Sequence, residues 1–201
     1  MTTTGQVFEG FDIIIYCTGF HSPFEFFNQV EVYDENQQRF QPDQDKFQSL
    51  YGIFADGGLP NMFSILGPGG FLVHVSSTEI IEFQTEYIAQ LIKFCLDNGY
   101  KKVKPNSDSC KEYSKLLTER GEKSIFSQCS SWYNENGKQV YCFSGKLSEY
   151  ISILRTEKFS KLDFFNKDGQ VTKVEDGGDY RVSDQFVPPF SAAKVSVFSR
   201  L

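Results

Sequence analysis

Between Phe11 and Tyr16 the chain is an apolar, β-branched run, the pattern of a strand buried on both faces in a parallel sheet, and Cys17-Thr18-Gly19-Phe20 follows it as a glycine turn. Val30 to Tyr33 and Arg39-Phe40 flank the polar stretch Asp34-Glu35-Asn36-Gln37, which predicts a hairpin or a surface excursion. Tyr51 to Ala55 and Asn61 to Leu66 read as two short apolar strands separated by Asp56-Gly57-Gly58-Leu59-Pro60. Gly67-Pro68-Gly69-Gly70 comes next, and its glycines allow the backbone a close approach to something.

The helical period is clearest from about Ser77 to Asp97, where Ile81, Ile88, Ile92 and Cys95 recur on one face with Tyr87 and Leu91 beside them. Ser76 and Glu79 have capping-box spacing, and Asn98-Gly99 supplies a stop. A second helix is expected from about Ser107 to Arg120 with Tyr113, Leu116 and Leu117 inward. Ser130 to Tyr133 and Lys138 to Phe143 predict a hairpin across Asn134-Glu135-Asn136-Gly137, and a short helix is expected around Lys146 to Leu154. From Arg155 the pattern weakens. Lys167-Asp168-Gly169-Gln170 is a turn signal, Gly177-Gly178 and Pro188-Pro189 punctuate the rest, and residues 155–201 read as a weakly packed tail with one hairpin, set against a main unit of residues 1–154.

Composition narrows the function classes. A charged fraction of 23% with 40% apolar residues describes a globular chain and not a disordered one. A net charge of −6 argues against nucleic acid as a partner, because no face gathers Lys and Arg. Lys101, Lys102 and Lys104 form the one basic cluster, which reads as solvated capping after a helix end. Five cysteines with no Cys-x-x-Cys spacing give neither a disulfide framework nor a metal site, and Cys17 and Cys95 read as core thiols. The apolar runs are too short to span a bilayer, and Met1 to Gly5 carries no signal stretch, so a reducing, cytoplasmic setting is expected.

Three segments, in order over residues 8–154, resemble the carboxyl-terminal portion of the Baeyer–Villiger and flavin-containing monooxygenases. Asp12 to Phe20 is similar to their Asp-hydrophobic-Ala-Thr-Gly-aromatic segment, with Cys17 in the alanine place. Leu59-Pro60-Asn61-Met62-Phe63 to Gly69 resembles their Pro-Asn-hydrophobic-Phe strand and Gly-Pro loop before a long helix with an acidic-aromatic pair, here Glu86-Tyr87. Ser131-Trp132-Tyr133, Gly137-Lys138 and Gly145 to Tyr150 resemble their Ser-Trp-aromatic, Gly-Lys and Gly-Gly-x-x-x-Tyr ending.

The resemblance implies an α/β fold, a truncated part of a Rossmann-like flavoprotein with two dinucleotide-binding domains, carrying carboxyl-terminal helices and a hairpin. It implies FAD and NADPH as cofactors and a small organic substrate, a ketone or a soft heteroatom, that is oxygenated. By resemblance, Gly67, Pro68, Ser77 and Thr78 face the flavin; Phe71, Leu72 and His74 line the substrate pocket within Phe71 to Val75. Trp132 and Lys138 hold the nicotinamide cofactor, and Thr18-Gly19 lies where the two nucleotide domains join. Each feature also has a purely structural explanation: a helix cap, a turn, a core tryptophan with a solvated lysine, a strand-end turn. No residue is singled out as catalytic; neither His21 nor His74 has a partner at catalytic-pair spacing.

The two Gly-x-Gly-x-x-Gly loops that the family uses to cradle pyrophosphate do not occur in these 201 residues, nor do its His- and Trp-bearing fingerprint and peroxide-stabilising arginine. The expectation is therefore a fragment that binds FAD weakly or not at all by itself and lacks NADPH oxidase activity. The alternative is a non-catalytic module that pairs with a full-length flavoprotein chain.

Overall fold

The computed structural model describes residues 5–17, 29–41, 48–125, 134–135, 138–139 and 141–174. In chain order the elements are β1 (Ser49–Leu50), β2 (Phe54–Ala55), α1 (Ser77–Asp97), β3 (Lys102–Pro105), α2 (Ser107–Gly121), β4 (Asn134–Glu135), β5 (Lys138–Gln139), α3 (Leu147–Glu157), β6 (Leu162–Phe165) and β7 (Val171–Lys173). All strand pairs are antiparallel: a β1–β2 hairpin, a β4–β5 hairpin and a three-stranded sheet ordered β3-β6-β7.

Helix α1 organises the core. Its buried stripe is Ile80, Phe83, Gln84, Tyr87, Leu91 and Phe94, spaced at helical intervals. This corrects the expected Ile81–Ile88–Ile92–Cys95 face: Ile92 is 44% exposed, and Ile81, Ile88 and Cys95 are only half-buried. The aromatic stripe wins because its rings remove more apolar area from water than the isoleucines, roughly 1.5–3 kcal/mol for each ring fully buried. Tyr87 meets Phe54 and Phe159 edge-on, while Phe94 packs on Phe159 and Phe164. The helix ends with the Asn98 side chain donating to Phe94 O at 2.9 Å and Gly99 at φ 72°.

Helix α2 begins at a true side-chain cap. Asn106 Oδ1 accepts from the amides of Asp108 at 3.1 Å and Ser109 at 3.3 Å, and Tyr113 and Leu117 face inward as the pattern predicts. The lysines after α1 do not cap it. Lys102 and Lys104 stand on β3 and pair with Glu35 at 3.7 and 3.0 Å, tying the Asp34–Gln38 turn to the sheet. That turn closes as expected between Tyr33 and Arg39, with Asp34 Oδ1 accepting from the amides of Asn36 and Gln38 at 2.8 Å.

Other expectations change as well. Tyr51 to Ile53 are a turn, so only Phe54–Ala55 of the expected Tyr51 to Ala55 strand is extended. Asn134–Glu135, expected in a hairpin turn, form β4 against Lys138–Gln139. Residues 11–16 take no ladder partner among the described residues, and Ile13, Ile15 and Tyr16 are 78–80% exposed. A strand buried on both faces needs neighbours on both edges, and none of the described strands lies there. Residues 61–66 form no strand, because Asn61 and Leu66 adopt left-handed φ values of 59° and 55° that break an extended ladder. Residues 155–174 are not weakly packed: Phe159, Leu162 and Phe164 are at most 2% exposed, and β6 is the central strand of the sheet. Alternation of buried and half-buried positions along Leu162–Phe165 puts Leu162 and Phe164 on the α1 side.

Asn61 also closes the outer edge of β3. Its amide donates to Val103 O and its Oδ1 accepts from Val103 N, both at 2.9 Å, while Nδ2 donates to Lys101 O at 3.0 Å.

Candidate functional site

The junction of the Gly67–Gly70 loop with α1 is built from the β1–β2 turn upward. Leu50 to Ile53 form a tight turn in which Tyr51 and Gly52 are both left-handed, at φ 59° and 67°, and Ile53 N donates to Leu50 O at 3.0 Å. Tyr51 tolerates this because its ring is wholly buried, edge-on to Tyr87 and Tyr113, with its hydroxyl donating to the Glu157 carboxylate. Burial drives the Tyr51 hydroxyl pKa far above the usual phenol range, so it remains a donor.

Gly52 then forms the floor under the loop. Gly67 N donates to Gly52 O at 3.0 Å, and a Cβ at Gly52 would stand 2.3 Å from Gly70 N and 2.6 Å from Gly67 O. The close approach that the glycines permit is to the protein's own backbone. Gly69 N donates to Tyr141 O and Gly70 N to Gly67 O, both at 2.9 Å, so these amides are spent within the fold. Ser49 donates to Pro68 O, Tyr113 to Gly69 O at 2.7 Å, and Gln84 Nε2 to Gly70 O at 3.2 Å. Gln84 is fully buried and reaches three partners: its Oε1 accepts from Leu66 N at 2.8 Å, and its Nε2 also donates to Tyr150 at 2.7 Å.

Beyond the loop the chain divides its residues between core and surface. Leu72 is wholly buried in the core and is not among the walls of the neighbouring cleft. Half-buried Phe71 bridges Cys142 in parallel fashion, with Phe143 N donating to Phe71 O at 2.8 Å. Val73 and exposed His74 line a cleft of about 490 Å³ whose other walls are Arg120 and Lys123 to Ile125 at the end of α2, and Cys142 to Lys146 with Glu149 before and on α3. Across it, Arg120 pairs with Glu149 at 2.7 Å and lies over the Phe143 ring at 5.0 Å. Glu149 also accepts from Lys146 N at 3.1 Å; the Arg120 hydrogen bond first, and that amide second, hold its carboxyl below the ordinary carboxylate range.

The amino end of α1 lies just past His74. Ser76, the N-cap residue, makes no side-chain cap, so the expected capping box is not formed; its hydroxyl meets that of Thr78 at 2.7 Å instead. No side chain therefore caps the first amides of this 21-residue helix, where the macrodipole is positive. The described residues thus place Gly67 and Pro68 in a rigid support, and Ser77 and Thr78 at a donor-bearing surface. Thr18, Gly19 and Trp132 lie outside the described residues, and of Lys138 only the backbone, in β5, is described.

Of the supports, Tyr113 was read from sequence as inward on the second helix and Tyr150 as the end of the third resembling segment, while Gly52 and Gln84 were not singled out. Gln84 left a signal all the same, as a polar residue one turn from Ile80 and Tyr87 on the buried face. No helix among the described residues is long and apolar enough to cross a membrane, and none of their His, Cys, Asp and Glu residues group as a metal site.

No family model matches the chain. Among curated proteins it is 28% identical over 148 residues to cyclopentanone 1,2-monooxygenase of Comamonas sp. (strain NCIMB 9872), covering 71% of this chain and 27% of that protein. Among solved structures, cyclohexanone monooxygenase from Rhodococcus sp. Phi1, a mutant bound to NADP+, superposes with a TM-score of 0.66 at 20% identity over 80% of this chain and 30% of that one. OTEMO in complex with FAD and NADP gives a TM-score of 0.66 at 16% identity, over 79% and 30%. The chain thus spans under a third of the length of the proteins it matches. Over about 70% of its length its homologues are Baeyer–Villiger and FAD-binding monooxygenases, and its fold is a part of the two-dinucleotide-domain fold of those flavoproteins.

Proposed function

We propose that this chain supplies the flavin-facing and substrate-facing elements of an FAD- and NADPH-dependent monooxygenase that oxygenates a ketone or a soft heteroatom. The observation that carries this reading is the uncapped amino end of α1, set on a loop whose own amides are spent on the fold. A reduced flavin carries negative charge on its pyrimidine side, and the donors at Ser77 and Thr78 suit that charge. When bound, the flavin supplies oxygen activation and NADPH the hydride.

The protein's own part is placement. Gly52, Gln84 and Tyr113 fix the loop, so the helix end arrives with little freedom. Val73 and His74 line the adjacent cleft, where a substrate would sit beside the helix end. Trp132 and Lys138 keep the nicotinamide-side roles that the resemblance assigns them, and Thr18-Gly19 the place where the two nucleotide domains join.

A Ser77→Pro variant tests the reading, because proline is tolerated at the first helical position yet removes the N–H. The purified chain is titrated with FAD by flavin fluorescence, and cyclohexanone or thioanisole oxygenation with NADPH is followed by product analysis. Weak FAD binding that S77P reduces about tenfold is expected. Binding indifferent to S77P would move the flavin away from this helix end.

A further inference from the structure

The cleft between His74 and α3 has an unusual balance of surface and charge. Half-buried Val73 and exposed Ile125 give it an apolar floor over the buried Cys142 and Phe143, and about 490 Å³ is the size of a small-molecule site. Around that floor stand three formal cations, Arg120, Lys123 and Lys146, against one carboxylate, Glu149. Arg120 is committed to Glu149 at 2.7 Å and to the Phe143 ring, and Lys146 adds its own charge to Glu149's surroundings. The surplus is positive, since Glu149 already answers both Arg120 and the amino end of α3 at Lys146 N.

We propose that this cleft takes an organic anion, a carboxylate on a short apolar body, with the chain of carbons on Val73 and Ile125 and the carboxylate toward Lys123 and Lys146. The inference rests on reading Val73 and His74 as pocket wall, and it narrows the substrate class from any ketone to one bearing an acid group. A neutral ligand would gain the floor and nothing from the cations; a small inorganic anion would gain the cations and nothing from the floor.

The sequence holds two histidines, so the ring signals of histidine-labelled protein are simple to follow by NMR, and a His21→Gln variant assigns the signal of His74. Hexanoate and hexanamide, equal in apolar body and different in charge, are titrated in parallel without flavin. Hexanoate is expected to shift the His74 signal saturably and to bind about tenfold tighter than hexanamide. In the Lys123→Gln/Lys146→Gln double variant that difference is expected to vanish while hexanamide binding stays. Equal binding of the two probes, a preference that survives the double variant, or a silent His74 would each overturn the proposal. None of these outcomes depends on FAD, so the S77P titration stands or fails separately.

Discussion

Gln84 Nε2 donates to the Tyr150 hydroxyl at 2.7 Å, and that hydroxyl donates onward to Tyr51 O at 2.6 Å. One buried amide on α1 thereby connects α3 to the β1–β2 turn and, through Leu66 N and Gly70 O, holds both ends of the glycine loop. A Gln84→Leu variant keeps the volume and strands Leu66 N and Gly70 O, while the Tyr150 hydroxyl keeps its bond to Tyr51 O. Its stability is expected to fall by about 2–4 kcal/mol, since each buried orphan costs roughly 1–3 kcal/mol. Urea unfolding measures it; a loss below about 1 kcal/mol would show the loop to be held by packing alone.

Glycine is required at Gly52 by two independent demands, its φ of 67° and the Gly70 backbone 2.3–2.4 Å from any Cβ. Gly99 has a similar φ of 72° but open space around it. Gly99→Ala is expected to cost about 1 kcal/mol of backbone strain, and Gly52→Ala at least about 3 kcal/mol or the fold itself. Paired thermal melts decide this, and equal losses would remove the argument for close approach.

The packing of residues 155–174 can be tested at Phe164, wholly buried with its ring 5.3 Å from Phe94 and 5.1 Å from Tyr100. Phe164→Ala is expected to cost about 3–5 kcal/mol, whereas Val171→Ala on exposed β7 should stay within about 0.5 kcal/mol. Denaturant midpoints for the two variants make the comparison.

Cysteine accessibility gives a prediction in pH. Cys17 is exposed, Cys95 is half-buried with its thiol pushed up to about 11, and Cys110 is buried with its thiol pushed up to about 12, in both cases by desolvation first. Iodoacetamide with per-residue mass spectrometry at pH 8 should label Cys17 first, Cys95 slowly and Cys110 only on unfolding. A raised folded pKa stabilises the protonated form, so the contribution of Cys110 is complete below its ordinary value of 9.0 and is lost as pH climbs toward about 12. The melting temperature should therefore fall across that window, and a Cys110→Ala variant should fall less steeply.

Much of the local structure was legible. The bounds of α1 and α2 follow from apolar period and from Asn98-Gly99, and the Asp34 turn from its polar run. The inward face of α1 was misjudged by about one residue, because isoleucine counts equally with phenylalanine in a period but not in buried area. Leu162 to Phe165 looked like a tail because a four-residue strand has too few positions for alternation to declare itself. The site was legible as a location and not as a mechanism. Glycines at 67, 69 and 70 announced a close approach, yet only the structure shows that the neighbour is Gly52.

Asn61 has a consequence for association between chains. By answering both backbone groups of Val103, its own amide and side chain occupy the bonds that an incoming strand would need. Among the described residues, the sheet can then be extended only from Val171–Lys173, an edge that already carries Lys173. A single left-handed asparagine thus acts as a stopper against templated growth, and replacing it would turn a closed margin into an adhesive one.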